Sequence, residues 1–92
     1  MASKATIKQE IEKRVGTTSY SAWRIGLTHD LADRKSYWRD TMKENIGSWT
    51  AWPADSLSDA QDIESHYINI KKMKGGTGGD LSFRKAVYVY IF

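Results

Sequence analysis

Charged side chains form blocks of one sign in the second half of the chain, and such blocks could bind ions of the opposite sign. An acidic block is followed by two basic ones: Asp55, Asp59, Asp62 and Glu64, then Lys71, Lys72 and Lys74, then Arg84 and Lys85. An acidic patch among basic surfaces suits a protein that binds a polyanion and also holds a divalent cation. Solvated helix faces are the commoner origin of such blocks and stay open as the alternative.

Size and composition limit the class of protein. The chain has 92 residues, of which 40% are hydrophobic and 27% charged, with a net charge of +3. These values predict one packed domain over residues 1–92. The absence of cysteine excludes disulfides, thiol catalysis and cysteine-ligated zinc. Without a long apolar run or a signal-like N-terminus, we expect a cytoplasmic protein that does not enter a membrane.

Three helices are predicted from capping residues and from apolar residues at helical spacing. Ile7, Ile11 and Val15 form a stripe typical of a helix that covers a core. The predicted caps and ranges are Thr6 for a helix over about 6–15, Asp30 for 31–44, and Ser58 for a helix that continues to about 72. The expected inner stripes of the later helices are Leu31, Trp38 and Met42, and Ile63, Tyr67 and Ile70.

Strand-like stretches separate these helices. SYSAWRIGL and RKAVYVYIF alternate between two faces, and WTAWPADS is typical of a short edge strand or an extended loop. The cluster at 75–79 contains four glycines and predicts a connecting loop. Trp23 and Trp38 are expected in the core, and Trp49 and Trp52 at the edge strand. The order α-β-α-β-α-β predicts one small sheet covered by helices, in an α/β or α+β arrangement.

Two charged residues lie on or beside the apolar stripes. Glu64 interrupts the row formed by Ala60 and Ile68, so its carboxylate should lie near the buried side of the third helix. Arg34 lies at the margin of the stripe on the second helix. Arg34 could simply pair with Asp30 or with Glu64, because ion-pair networks produce the same constellation as functional sites.

The stretch RIGLTHDLADR, residues 24–34, resembles the second half of the signature of GIY-YIG nucleases. In that family a strand ending in Tyr-Ile-Gly turns through a small polar segment, with Asn or Asp before Leu, into a helix that carries an Arg. The residues that match in identity and spacing are Ile25, Gly26, Thr28, Asp30, Leu31 and Arg34.

A second stretch, SDAQDIESHYI, is similar to a later helix of the same family. There an Ala comes four residues before a Glu, and an Ile follows four residues after it. Ala60, Glu64 and Ile68 have this spacing. The resemblance covers roughly residues 20–70 and reaches the final strand only by inference.

The resemblance implies both a fold and a chemistry. The fold would be α+β, with a small three-stranded, mainly antiparallel sheet flanked by helices. The chemistry would be metal-dependent cleavage of phosphodiester bonds, in DNA rather than RNA. Glu64 would hold Mg²⁺ or Mn²⁺, Arg34 would stabilise the charge that builds on the phosphate, and a tyrosine would help to activate water.

The sequence departs from the family at its tyrosines. No Gly-Ile-Tyr strand precedes the Ile25-Gly26 strand, and Arg24 stands where the family has the Tyr of Tyr-Ile-Gly. Tyr20 could supply a phenol because it is predicted to share a strand face with Arg24. Tyr88 or Tyr90 could do so if the C-terminal strand takes the place of the missing strand. Simple packing is the alternative role for all three.

Nucleic-acid contacts are expected from Arg24 and His29, before the second helix, and from Lys71, Lys72 and Lys74, after the third. Arg24 could add a phosphate contact, or it could neutralise the catalytic carboxylate and exclude a metal. Two alternatives to an endonuclease remain open: a catalytically inactive DNA- or RNA-binding module, and a small protein-interaction domain. The oligomeric state is not predicted.

Overall fold

A computed structural model describes residues 3–75 and 87–92 of the chain. Its helices are α1 (Lys4–Val15), α2 (Leu31–Ser36) and α3 (Leu57–Asn69), and α2 continues directly into a π-helical segment, Tyr37–Thr41. Its strands are β1 (Arg24–Thr28), β2 (Thr50–Pro53), β3 (Lys74–Gly75) and β4 (Tyr88–Ile91). A 3₁₀ turn, Tyr20–Ala22, precedes β1. None of the helices in these two ranges has the length and apolarity needed to span a membrane.

The strands form one four-stranded mixed sheet in the order β2-β4-β1-β3. The α+β class is confirmed, but the prediction of three mainly antiparallel strands is incomplete. Strand β4 pairs antiparallel with both β1 and β2, whereas β3 adds a short parallel pair, Arg24 with Lys74 and Ile25 with Gly75. The predicted glycine loop therefore begins with a residue that belongs to a strand, and its residues 76–79 lie outside the described ranges.

The last strand lies in the middle of the sheet because both of its faces are apolar. Val89 and Ile91 on one face and Tyr90 on the other are fully buried. Strand β2 lies at the edge of the sheet, one of the two predicted possibilities for this stretch. Pro53 has no N–H to donate, and an edge strand tolerates this because only one of its sides pairs with another strand.

Helices α1 and α3 cover one face of the sheet and form the main core with it. Ile7, Ile11 and Val15 of α1 are buried as predicted, together with Ala60 and Tyr67 of α3. From β1 and β4 the core receives Ile25, Leu27, Val89 and Ile91. Because side chains alternate along a strand, the opposite face carries Arg24, Gly26, Tyr90 and Phe92. This second face is called the site face below.

The predicted caps are right for α2 and wrong for the other two helices. Asp30 Oδ1 accepts a hydrogen bond from the Asp33 N–H (3.0 Å), as expected. Helix α1 is capped by Ser3 rather than Thr6, and α3 by Ser56 rather than Ser58. Ser3 and Ser56 have extended backbones and accept from the N–H three residues later, so each helix begins before the predicted capping box.

The ends of the two later helices also differ from the prediction. The π-helical segment shifts the register after Ser36, so that Trp38 is fully buried and Met42 is exposed (44%) instead of facing inward. Helix α3 ends at Asn69, and Ile70 is 66% exposed because it lies beyond the helix.

Candidate functional site

The Tyr90 phenol crosses β1 at Gly26 on the site face. Gly26 and Tyr90 are directly paired in the antiparallel ladder. A Cβ on residue 26 would lie 2.5 Å from Cζ of Tyr90 and closer still to its hydroxyl oxygen. Glycine is therefore required here by the close approach of the aromatic ring.

Aromatic neighbours hold the Tyr90 ring in this position. The Trp38 indole Nε1 donates a 2.8 Å hydrogen bond to the Tyr90 hydroxyl. Trp49 stacks on the ring with centroids 4.7 Å apart, and Phe92 lies beside it at 6.2 Å. The hydroxyl is thus an acceptor for Trp38 and keeps its own proton for another partner.

The charges of side chains from three elements influence the pKa of this hydroxyl. Burial raises the pKa of Tyr90; the Trp38 hydrogen bond and the positive charges of Arg34 and Arg24 oppose that rise, and the negative charge of Glu64 adds to it. The charges of the α2 arginine and the α3 carboxylate therefore both influence the pKa of the Tyr90 phenol. A tyrosine phenol is already protonated at neutral pH, and the raised pKa of Tyr90 extends that state to more alkaline pH.

Glu64 is half-buried and has no hydrogen bond or ion pair with any residue in the described ranges. Burial raises the pKa of its carboxyl. The cause is its place in the row with Ala60 and Ile68, which pack against the core on either side of it. A carboxylate in this state has all of its acceptor capacity available.

Arg34 also has unused hydrogen-bonding capacity. Its Nε is buried without a hydrogen-bond partner in the described part of the chain. Its guanidinium lies over the Tyr37 ring, 5.0 Å from the centroid. The pairings with Asp30 or Glu64 that the sequence left open are not formed, because the salt bridges among described residues involve other partners.

The guanidinium of Arg24 contacts three other residues of the chain. Its guanidinium lies 4.5 Å from the centroid of the Trp38 ring, forms a 3.7 Å ion pair with Glu44, and donates to the Gly75 carbonyl. Its ion-pair partner is therefore Glu44 and not Glu64, so the expected alternative in which Arg24 neutralises Glu64 is not formed.

The other two candidate tyrosines lie in different places. Tyr20 is in the 3₁₀ turn, where strand alternation does not apply, and it stacks on Tyr67 of α3 with centroids 5.9 Å apart. The prediction that Tyr20 shares the face of Arg24 is therefore wrong. Tyr88 is half-buried on the site face, two residues from Tyr90 and opposite Thr28.

The predicted nucleic-acid contacts lie on several elements of the fold. Lys74 pairs with Arg24 through β3 and is exposed. Lys71 lies over the Tyr20 ring at 5.4 Å, and Lys72 is exposed with a positive φ of 68°. His29 is half-buried in the turn between β1 and α2. Only Arg24 and Lys74 are brought together by strand pairing.

Tyr90 and the charged residues that influence its pKa, Arg34, Arg24 and Glu64, are called the Tyr90 group below, and a cleft of about 320 Å³ opens beside it. Its lining includes Trp23, Arg24, Glu44, Lys74 and Phe92. Arg24 and Phe92 exchange backbone hydrogen bonds (2.8 and 3.1 Å) two residues along the strands from the Gly26–Tyr90 pair. The cleft is therefore about 7 Å along the same face from that pair.

The described residues contain no group of three or more His, Asp or Glu side chains that could share a metal. A divalent cation at this site would have Glu64 as its carboxylate ligand. Mg²⁺ prefers oxygen ligands and keeps several of its waters, so one unpaired carboxylate fits it.

Sequence reasoning placed Trp38 in the core and missed its bond to Tyr90. Fifty-two positions separate the two residues, and neither helical nor strand periodicity predicts a contact between residues so far apart. The aromatic packing of Trp49 and Phe92 around Tyr90 was missed for the same reason.

Comparison with known proteins finds no family model, no curated protein and no solved structure that matches this chain.

Proposed function

We propose that this chain is a GIY-YIG-like nucleic-acid-binding domain that cleaves phosphodiester bonds in DNA with a divalent cation, Mg²⁺ or Mn²⁺. One observation carries the proposal. Among the described residues, Arg34 has a buried Nε without a hydrogen-bond partner and Glu64 is a half-buried carboxylate without an ion pair; they lie on separate helices, and the charges of both influence the pKa of Tyr90. Groups with unused bonding capacity and perturbed pKa values are typical of ligand sites.

The chemistry of phosphodiester cleavage assigns a role to each group. Negative charge builds on the nonbridging oxygens, and the Arg34 guanidinium offers a planar set of donors to them. The protonated Tyr90 hydroxyl can donate one more hydrogen bond to the phosphate. Glu64 would hold the cation, which when bound supplies Lewis acidity and lowers the pKa of its waters.

The strand order supports the likeness to GIY-YIG nucleases. The C-terminal strand β4 pairs antiparallel with the strand that carries Ile25 and Gly26. Strand β4 thereby brings Tyr90 beside β1. This arrangement is expected if the C-terminal strand replaces the Gly-Ile-Tyr strand that the family has before Tyr-Ile-Gly.

A second candidate is a catalytically inactive nucleic-acid-binding module. Arg24 stands where the family has a tyrosine and forms an ion pair with Glu44, while burial moves the pKa of the Tyr90 phenol further above neutral pH. A protonated phenol does not take a proton from water, so the site face could bind phosphate without cleaving it.

Cleavage of supercoiled plasmid with Mg²⁺ or Mn²⁺ tests the two candidates. We expect Glu64→Gln and Arg34→Lys each to reduce cleavage by about 100-fold or more, as losses of charge-stabilising groups do. Asp62→Asn is the matched control, because Asp62 is an exposed carboxylate on the same helix with only a surface ion pair to Lys4.

Each outcome separates the candidates. Cleavage that survives Glu64→Gln contradicts the proposed site. DNA binding without cleavage by the unmodified protein favours the inactive module. Absence of binding at low salt would leave the protein-interaction alternative.

A further inference from the structure

The cleft beside the Tyr90 group combines aromatic walls with polar groups. Trp23 and Phe92 are among the residues that line it, and the Trp23 indole is fixed by a 2.8 Å hydrogen bond to Thr18 Oγ1. Asn45 and Ser48 contribute an amide and a hydroxyl. A volume of about 320 Å³ is at the small end of ligand pockets, which suits one small planar group.

The polar groups of the cleft are available to a ligand. Asn45 uses its Oδ1 to accept from the Gly47 N–H (3.0 Å), which leaves its NH₂ free to donate within the described residues. The Lys74 ammonium forms no ion pair in the described part of the chain, whereas Arg24 is held by Glu44. The cleft thus offers hydrogen bonds for a base edge and one accessible cation for a phosphate.

We propose that this cleft binds a single unpaired nucleotide of the nucleic-acid strand, next to the phosphate held at the Tyr90 group. The base packs on the aromatic walls and the phosphate contacts Lys74. A base inside a duplex is stacked and paired and does not present its ring face, so the preferred substrate has an unpaired nucleotide at this position. This inference rests on the proposed function, because it takes the site face to follow a nucleic-acid strand.

Fluorescence anisotropy at low salt without divalent metal tests the cleft separately from cleavage. The probes are a short oligothymidylate, an abasic oligomer of the same length and a duplex. We expect oligothymidylate to bind about tenfold more tightly than the abasic oligomer, since base–aromatic stacking contributes on that order. Equal binding of these two probes, or tighter binding of the duplex, would overturn the proposal.

Ser48→Phe fills the cleft and is expected to abolish the preference for bases. Ser58→Phe, an exposed serine on α3, is the matched control and should keep it. Asn45→Asp is a second variant that retains the acceptor for Gly47 while it removes the free NH₂ and adds negative charge, so it should also weaken oligothymidylate binding. A base preference that survives both cleft variants would contradict the proposal.

The two proposals can fail separately. A chain that prefers bases but does not cleave plasmid supports the cleft and contradicts the endonuclease. A chain that cleaves plasmid in a Glu64-dependent way but binds the abasic oligomer equally well contradicts the cleft alone.

Discussion

At the scale of single residues, Arg34 and Glu64 are incompletely satisfied polar groups in a small domain. Within residues 3–75 and 87–92, the buried Arg34 N–H has no acceptor and the half-buried Glu64 carboxylate has no donor, and each such group costs stability. The charges of both residues also influence the pKa of Tyr90. A ligand with a phosphate group and a cation would satisfy both.

The raised pKa of Glu64 predicts that the free energy of unfolding depends on pH. Because the folded pKa lies above the unfolded value of about 4.3, the folded state binds the proton more tightly. The wild type should therefore lose stability as the pH rises from below the unfolded value through the folded pKa. Glu64→Gln stays uncharged, so we expect it to unfold at higher urea concentration than the wild type at pH 7, with the difference vanishing near pH 4.

Urea unfolding at both pH values, with Asp62→Asn as the control on the same helix, measures this difference. A Glu64→Gln protein that is less stable than the wild type at pH 7 would mean that the carboxylate has a stabilising partner, against the structure described above.

The contact between Gly26 and Tyr90 predicts a coupled effect on stability. Gly26→Ala places a methyl group against the phenol and should cost about 1–3 kcal/mol, as overpacking does. In a Tyr90→Leu background the ring edge is absent, so the same change should cost less. The coupling free energy from a double-mutant cycle, measured by urea unfolding, checks this. Equal costs in the two backgrounds would show that the ring does not cross residue 26.

At the scale of elements, helix α3 begins where its cap allows. Ser56 Oγ accepts from the Asp59 N–H (3.1 Å), whereas Ser58 lies inside the helix and is exposed. We expect Ser56→Ala to lower the free energy of unfolding by about 1 kcal/mol and Ser58→Ala to have little effect. Thermal unfolding of the two alanine variants checks which substitution destabilises the protein more. A larger loss with Ser58→Ala would mean that Ser58, as the sequence predicted, caps the helix.

The π-helical segment after α2 aligns Trp38 with the site. Its wider turns bury Trp38 and leave Met42 exposed, which a regular α-helix would not do with the predicted stripe. Trp38 then contacts Tyr90 through its N–H and Arg24 through its ring. The element that sequence periodicity described least well is therefore the one that positions the aromatic groups of the site.

At the scale of the whole molecule, most of the proposed site lies on the sheet face opposite the main core, whereas Glu64 comes from α3, which packs on the core side. One face of the sheet packs against α1 and α3 and forms the main core. The other face carries Tyr90, Arg24 and the cleft, and Trp38 packs on this face through its contacts with Tyr90 and Arg24. Strand β4 contributes to both faces because it lies in the middle of the sheet.

Local patterns in the sequence determined much of this fold. The stripe of Ile7, Ile11 and Val15, the Asp30 cap and the two-residue alternation of Val89 and Ile91 are encoded by neighbours in the chain, and all are found in the structure. The spacing of Arg34 and Glu64 on their helices also followed from periodicity alone. Such features depend on backbone geometry that repeats over a few residues.

Only the tertiary structure decided which distant residues meet. The place of β4 between β1 and β2, the Trp38–Tyr90 bond and the ion pair of Arg24 with Glu44 each join parts of the chain far apart in sequence. It is Tyr90 rather than Tyr20 whose pKa responds to the charges of Arg34 and Glu64, again because distant parts of the chain come together. These contacts result from closing loops and filling a shared interior, and no local repeat in the chain specifies them.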